Sequence, residues 1–318
     1  MRKAAFFVGP LAVGLVILIV ACARAPKSSQ IASTMRCEFG SGQSLGPLVN
    51  SPVFDGSPTV SADETELIFT SGRNGQQELF VSTRPSKQDT WSEPVNLGPL
   101  VNDSISDDFS PRLSNDGKAL YFGSFDRREG FGKGDIYVAT RASRQQAWGP
   151  ATNLGARLNT EEFEAFPTPT ADGNTLYFNR STTFDSQDSD IYVTSRSGAD
   201  DEWSEPERVP GGINTERAEF SPSLTSDGNT MYFASERSGH IEIWVSTRGH
   251  MAEAWDTPQR LGTDVNVPRG MTLAPFLSHD QRSLYYMSAR PEMSAGEACT
   301  PRSCFDRLDL YVARMNCR

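Results

Sequence analysis

A unit of about 55 residues recurs five times along this chain, with its last copy divided between the two ends. Strand-like blocks ELFVSTR, DIYVATR, DIYVTSR and EIWVSTR begin at Glu78, Asp135, Asp190 and Glu242. Seven residues after the Arg of each block stands a tryptophan: Trp91, Trp148, Trp203 or Trp255. Six residues further comes Leu97, Leu154, Val209 or Leu261, and the segment closes on an apolar residue followed by Asn102, Asn159, Asn214 or Asn266. The fifth block, DLYVARM from Asp309, has no tryptophan segment behind it. The missing piece stands at the other end, where Phe39 precedes Leu45 by six residues and Val49-Asn50 closes the stretch. A period whose last copy is completed by the first residues spells blades arranged in a closed ring.

The cysteines test this reading independently. In the first full copy Arg84 is followed by a turn from Pro85 to Thr90, and by alignment Cys317 takes the place of Ser86 and Cys37 that of Asp89. These are the i and i+3 positions of a turn, within about 7 Å of each other, which overlaps the reach of a disulfide. A Cys37–Cys317 bond is therefore expected to replace the peptide link of the other copies. Cys299 and Cys304 are expected to close a small local loop in the fifth copy.

The N-terminus reads Met-Arg-Lys, then an apolar run from Ala4 to Val20, then Ile19-Val20-Ala21-Cys22. A basic start, a short apolar core and a small residue before the cut describe an export signal. Small and aliphatic residues before Cys22 resemble the lipobox of bacterial lipoproteins. That resemblance implies that the Cys22 thiol carries diacylglycerol and becomes the new N-terminus, an anchor to which each buried methylene adds about 0.8 kcal/mol. Ala23, which is not Asp, implies by the same analogy an outer-membrane destination facing the periplasm. The expected organisation is a signal at 1–21, a flexible tether at 22–35 and a single repeat domain at 36–318.

The formal net charge of −10 grows more negative once Arg2 and Lys3 are removed. No basic stripe is present, so nucleic-acid binding is not expected. Short strand patterns, 26 Gly and 20 Pro mark an all-β chain. In the second copy the inner strand is placed at Phe109–Ser114, followed by the hairpin turn Asn115-Asp116-Gly117, then by strands at Ala119–Phe122 and Asp135–Val138, and by an outer strand around Ala151–Leu154. The turn recurs at Asp63, Asp172-Gly173, Asp227-Gly228 and Asp280. The fold expected is a five-bladed β-propeller of four-stranded antiparallel blades, the last closed by the N-terminal strand, with the repeated tryptophans packed in grooves between blades.

Ser57-Pro58, Ser110-Pro111 and Ser221-Pro222, with weaker counterparts at Phe166-Pro167 and Ala274-Pro275, precede the Asp-Gly, Leu-Tyr-Phe and Asp-Ile-Tyr-Val elements. Together they resemble the TolB-type, WD-like propeller repeat over nearly all of Phe39 to Cys317. Rings of that type occur as periplasmic adaptors, as parts of envelope lipoproteins and as gating domains ahead of serine peptidases. The resemblance specifies a fold more closely than a function.

Catalytic signatures are sparse. His240, His250 and His279 stand at no metal-ligand spacing, and neither a Gly-x-Ser-x-Gly elbow nor a phosphate-cradling Gly loop is present. One constellation remains: Asp55, Asp108, Glu164 and Glu219, each three residues before the repeated Pro, with Thr272 breaking the series. At that position four carboxylates are expected to face the channel axis as an acidic ring. Such a ring would serve as solvated structure, as a calcium or ligand site, or as an acid pair like that of five-bladed glycosidases acting on furanosides. The expectation is a monomeric, lipid-anchored scaffold without catalysis or a required cofactor, binding an envelope protein or glycan through loops 125–134, 181–189 and 290–307. The alternative is a glycoside hydrolase.

Overall fold

The computed structural model describes residues 37–268, 270–289 and 307–317. Cys22, segments 1–21 and 22–35, the Cys299–Cys304 pair and nearly all of loop 290–307 lie outside the described residues.

Strands and turns make up the described chain, without an α-helix among them. Strands β1 (Cys37–Phe39) and β2 (Gln43–Ser44) come first. The first full copy of the repeat forms β3 (Asp55–Val60), β4 (Glu66–Ser71), β5 (Glu78–Thr83) and β6 (Val95–Asn96). The second forms β7 (Asp108–Leu113), β8 (Ala119–Phe125), β9 (Gly134–Thr140) and β10 (Thr152–Asn153). Next come β11 (Phe163–Pro169), β12 (Thr175–Ser181), β13 (Asp190–Ser195) and β14 (Glu207–Arg208), then β15 (Glu219–Leu224), β16 (Thr230–Ser235), β17 (Glu242–Thr247) and β18 (Gln259–Arg260). Strands β19 (Met271–Leu277), β20 (Ser283–Ala289) and β21 (Asp309–Cys317) complete the order.

Within each copy the strands pair antiparallel in chain order, and a single parallel bridge, Phe163 to Gly134, joins the second and third copies into one sheet. At the end of the chain, β21 pairs on its outer side with β2, Gln43 opposite Val312, and with β1, Cys37 opposite Cys317. The innermost strands touch in cyclic order: β3 to β7, β7 to β11, β11 to β15, β15 to β19, and β19 back to β3. This is an all-β arrangement of the propeller type. Strands β3, β4 and β7 are buried along their whole length, as expected where both faces of a sheet are covered.

Two repeated devices brace each copy and a third packs it on the preceding one. Each closing asparagine acts as one more residue of ladder. Asn102 accepts from Leu79 N–H at 2.9 Å and donates to Leu79 C=O at 3.0 Å, and Asn159, Asn214 and Asn266 do the same to Ile136, Ile191 and Ile243. Asn50 performs this service for Leu310, from the opposite end of the chain. The strand-end arginines lie over the tryptophans of their own copies: Arg84 on Trp91 at 4.0 Å, Arg141 on Trp148 at 4.1 Å, Arg196 on Trp203 at 4.3 Å and Arg248 on Trp255 at 4.1 Å. These tryptophans are buried in clusters shared with the preceding copy, Trp203 with Tyr121 and Trp255 with Tyr177. Phe39 takes the equivalent place, edge-on to Tyr232 at 6.1 Å.

The hairpin turns form at the expected aspartates. Asp116 accepts from Ser114 Oγ and Lys118 N–H, and Gly117 has φ of 71°. Where Gly is missing, Glu64 and Gln281 still adopt positive φ. The disulfide Cys37–Cys317 is present. Its setting differs from the turn expected, because β21 runs on to Cys317 and meets β1 as a ladder, which places the two cysteines directly opposite each other.

Candidate functional site

Each of the four repeat carboxylates stands at the start of an inner strand, as its first or second residue, and each is fully buried at 0 % exposure. Asp55 accepts from Ser51 N–H at 2.5 Å and pairs with Arg73 at 2.9 Å. Asp108 accepts from Asp103 N–H at 2.6 Å and pairs with Arg127 at 2.6 Å. Glu164 binds Thr160 N–H at 2.9 Å and Arg180 at 2.7 Å; Glu219 binds Thr215 N–H at 2.6 Å and lies 3.5 Å from Arg237. In the fifth copy Thr272 instead meets Ser288 at 3.3 Å. The carboxylates therefore form no ring open to solvent: each clamps the loop before its own strand to an arginine in or just after the next. A buried charge demands such pairing. Burial pushes Asp108 up to about 6, opposed by Arg127, and raises Glu164 as well.

The physical reason lies in strand parity. Side chains alternate across a strand, so the residues flanking each acid point to the other face. In every inner strand a bulge follows, with Ser57, Ser110, Phe166, Ser221 and Ala274 at φ near 50° before the repeated Pro. The bulge resets the alternation. Phe109 and Arg112 stand opposite Gly123 and Tyr121, two apart on one face, whereas Asp108 stands opposite Ser124 on the other.

In the third, fourth and fifth copies the flanking residues line a cavity of about 490 Å³ at the end where the inner strands begin. Its apolar wall includes Phe163, Phe166, Phe220, Met271, Leu273 and Met287. None of the four acids lines it. Beside it Phe109 stacks on Phe163 at 5.8 Å, and Phe125 lies 5.1 Å from Phe163. Phe184 stands edge-on to Phe125 and Phe163 at 5.6 Å and remains 41 % exposed. It belongs to the 181–189 loop expected from sequence to make contacts, whose Asp185, Ser186 and Gln187 edge the cavity with Glu236. Burial raises Glu236, with Arg217 opposing. The run Asp185–Asp190 is spent locally: Asp188 accepts from Ser186 and Thr182, and Asp190 pairs with Arg208. Among the described residues no group of three or more His, Cys, Asp or Glu side chains is placed to hold a metal ion.

An apolar floor with a polar edge is the composition of a binding pocket. Its aromatic residues escape repeat alignment because they change sides of the acid. Phe163 comes one before it and Phe220 one after, with Met271 and Leu273 on both sides of Thr272. Counting both flanks together would have found them.

In comparison with solved structures, the chain is similar to the catalytic domain of a GH62 α-L-arabinofuranosidase from Coprinopsis cinerea, at 12 % identity and a TM-score of 0.61, over 87 % of this chain and 98 % of that one. It is also similar to the α-L-arabinofuranosidase PaAbf62A of Podospora anserina, at 13 % identity and a TM-score of 0.59, over 87 % and 97 % of the two chains. A TolB described as putative, from Agrobacterium tumefaciens, aligns at 17 % identity and a TM-score of 0.48, over 83 % and 81 %. No family model matches the chain, and no curated protein matches it in sequence. At these identities the likeness is one of fold: a propeller.

Proposed function

We propose that this chain is a five-bladed propeller, its last blade completed by β2, that binds an envelope partner without chemistry of its own. The closed ring is supported by the cyclic order of inner strands and by Asn50 serving Leu310. Lipidation at Cys22 would tether a monomer to the outer membrane on its periplasmic side, with no nucleic acid and no required cofactor. The observation that carries the binding role is the apolar cavity of about 490 Å³ at one mouth of the channel, beside four carboxylates sealed by arginines. Such a mouth suits an apolar side chain of a protein segment better than a glycan or a calcium ion.

The second reading is a glycoside hydrolase acting on furanosides. Its support is the fold shared with arabinofuranosidases and the proton that burial holds on Asp108 up to about 6, as a general acid requires. Against it stand the zero exposure of Asp108 and its contact with Arg127.

One pair of measurements separates them. A photoreactive phenylalanine at position 184, irradiated in intact cells, is expected to capture one envelope protein, and Phe220→Asp is expected to abolish that capture. Purified protein is expected to leave aryl arabinofuranosides intact. Turnover lost in Asp108→Asn would establish the hydrolase; capture unaffected by Phe220→Asp would remove the cavity from the binding role.

A further inference from the structure

The opposite mouth of the channel, where the inner strands end, holds a buried cation, Arg112, without a counter-charge among the described residues. At the position after the repeated Pro the copies carry Thr59, Arg112, Thr168, Ser223 and Phe276. The hydroxyl residues act between neighbouring copies: Thr59 Oγ1 accepts from Leu113 N–H at 3.1 Å, Ser223 Oγ accepts from Leu277 N–H at 3.3 Å, and Thr168 Oγ1 donates to Pro222 C=O at 2.6 Å. Arg112 breaks this pattern. Its side chain crosses the channel, past the third copy, and Nη2 donates to Pro222 C=O at 3.2 Å and Pro275 C=O at 3.3 Å, with the guanidinium 4.9 Å from the Phe276 ring centre.

The residue is 7 % exposed, yet Nε and Nη1 have no partner among the described residues. No ion pair to a carboxylate is formed by it among the described residues, and burial draws its pKa down to about 9. A buried, uncompensated guanidinium with open N–H groups is strongly destabilising. The neighbouring space supplies the remedy. Arg112, Thr168, Thr170, Ser223 and Thr225 line a cavity of about 50 Å³ that reaches the exposed turn residues Asn115, Ala171 and Ser226. Ser223 Oγ accepts from the backbone and keeps its own hydrogen to donate.

We propose that this cavity is a site for a small monovalent anion of halide size, held by Nε and Nη1 of Arg112 and the Ser223 hydroxyl. Water alone would satisfy the N–H groups and leave the charge uncompensated. The space admits about one to a few water-sized occupants, which excludes bulky organic anions. The anion neutralises the Arg112 guanidinium and ties the second and fourth copies of the repeat together across the axis.

The test uses the whole protein with sodium chloride or bromide against sodium gluconate at equal ionic strength. The melting temperature is expected to rise saturably with halide, by roughly 2 °C or more at a concentration well above its Kd, and Arg112→Gln is expected to remove the rise. Crystals of the wild-type protein soaked in bromide are expected to show an anomalous peak within about 3.5 Å of Nη1 or Nε, a result independent of whether Arg112→Gln folds. Equal melting in halide and gluconate, a rise that persists in Arg112→Gln, or no bromide peak at Arg112 would overturn the proposal.

Discussion

Asp309 shows what happens when one copy lacks an arginine that two others have. Its counterparts Asp190 and Glu242 meet Arg208 and Arg260 on the outer strand of their copies. In the last copy that outer strand is β2, and Ser44, opposite Tyr311, occupies the place that Arg208 and Arg260 hold opposite Tyr192 and Trp244. Half-buried and close to Asp55, Asp309 is pushed up to about 6 by burial first and by Asp55 second, from an ordinary 3.8. A folded-state pKa above the unfolded one contributes stability that is full below about pH 4 and is lost as pH rises through about 6. Asp309→Asn abolishes that loss. Urea unfolding at pH 4 and pH 7 is therefore expected to show the variant gaining on wild type at the higher pH, and Ser44→Arg acting in the same direction. An equal offset at both pH values would contradict the assignment.

At the scale of the strand, the bulge decides the design. Every inner strand holds a non-glycine residue at φ near 50° before proline, and in two copies, at Ser110 and Ser221, the buried hydroxyl also has no hydrogen-bond partner among the described residues. The left-handed conformation costs a non-glycine residue about 1 kcal/mol or more, and an unpaired buried hydroxyl about 1 kcal/mol or more. Glycine would return up to about 1 kcal/mol through the freer unfolded chain. Ser221→Gly is thus expected to raise the free energy of unfolding by about 1 kcal/mol in urea titrations; a loss of that size would mean that the hydroxyl has a role in the channel. These bulges also mark the boundary of what could be read from residues alone. The Ser-Pro pairs, the Asp turns and the Asn closures repeat at fixed spacing, so strands, turns and chain order were legible. The facing of Asp55, Asp108, Glu164 and Glu219 was not. A single extra residue in the ladder inverts side-chain parity downstream, so Arg112 and its counterparts after the repeated Pro join the face of the flanking aromatics and not that of the acids. The roles of Asn102 and its counterparts were hidden in the same way, because position along a repeat carries no record of which backbone groups a side chain will reach.

At the scale of the molecule, stability rests on joining the two ends of the chain. The last group of strands receives Asn50 on Leu310, β2 on β21 and the disulfide across β1, all from the N-terminal side. The cysteines are 280 residues apart. In the chain-entropy account, a loop of that length restricts the unfolded chain by roughly 5 kcal/mol, an upper figure. The non-covalent closure remains without the bond, since β2 and Asn50 act on the interior of β21 rather than at its end. Cys37→Ser with Cys317→Ser is therefore expected to fold to the same ring and to unfold at markedly lower urea, by up to about 5 kcal/mol in free energy. Hydrogen exchange is expected to quicken first along β1 and the end of β21, before the inner strands β3 and β19. Uniform loss of protection throughout the ring would instead mean that sulfur, and not the paired strands, carries the closure.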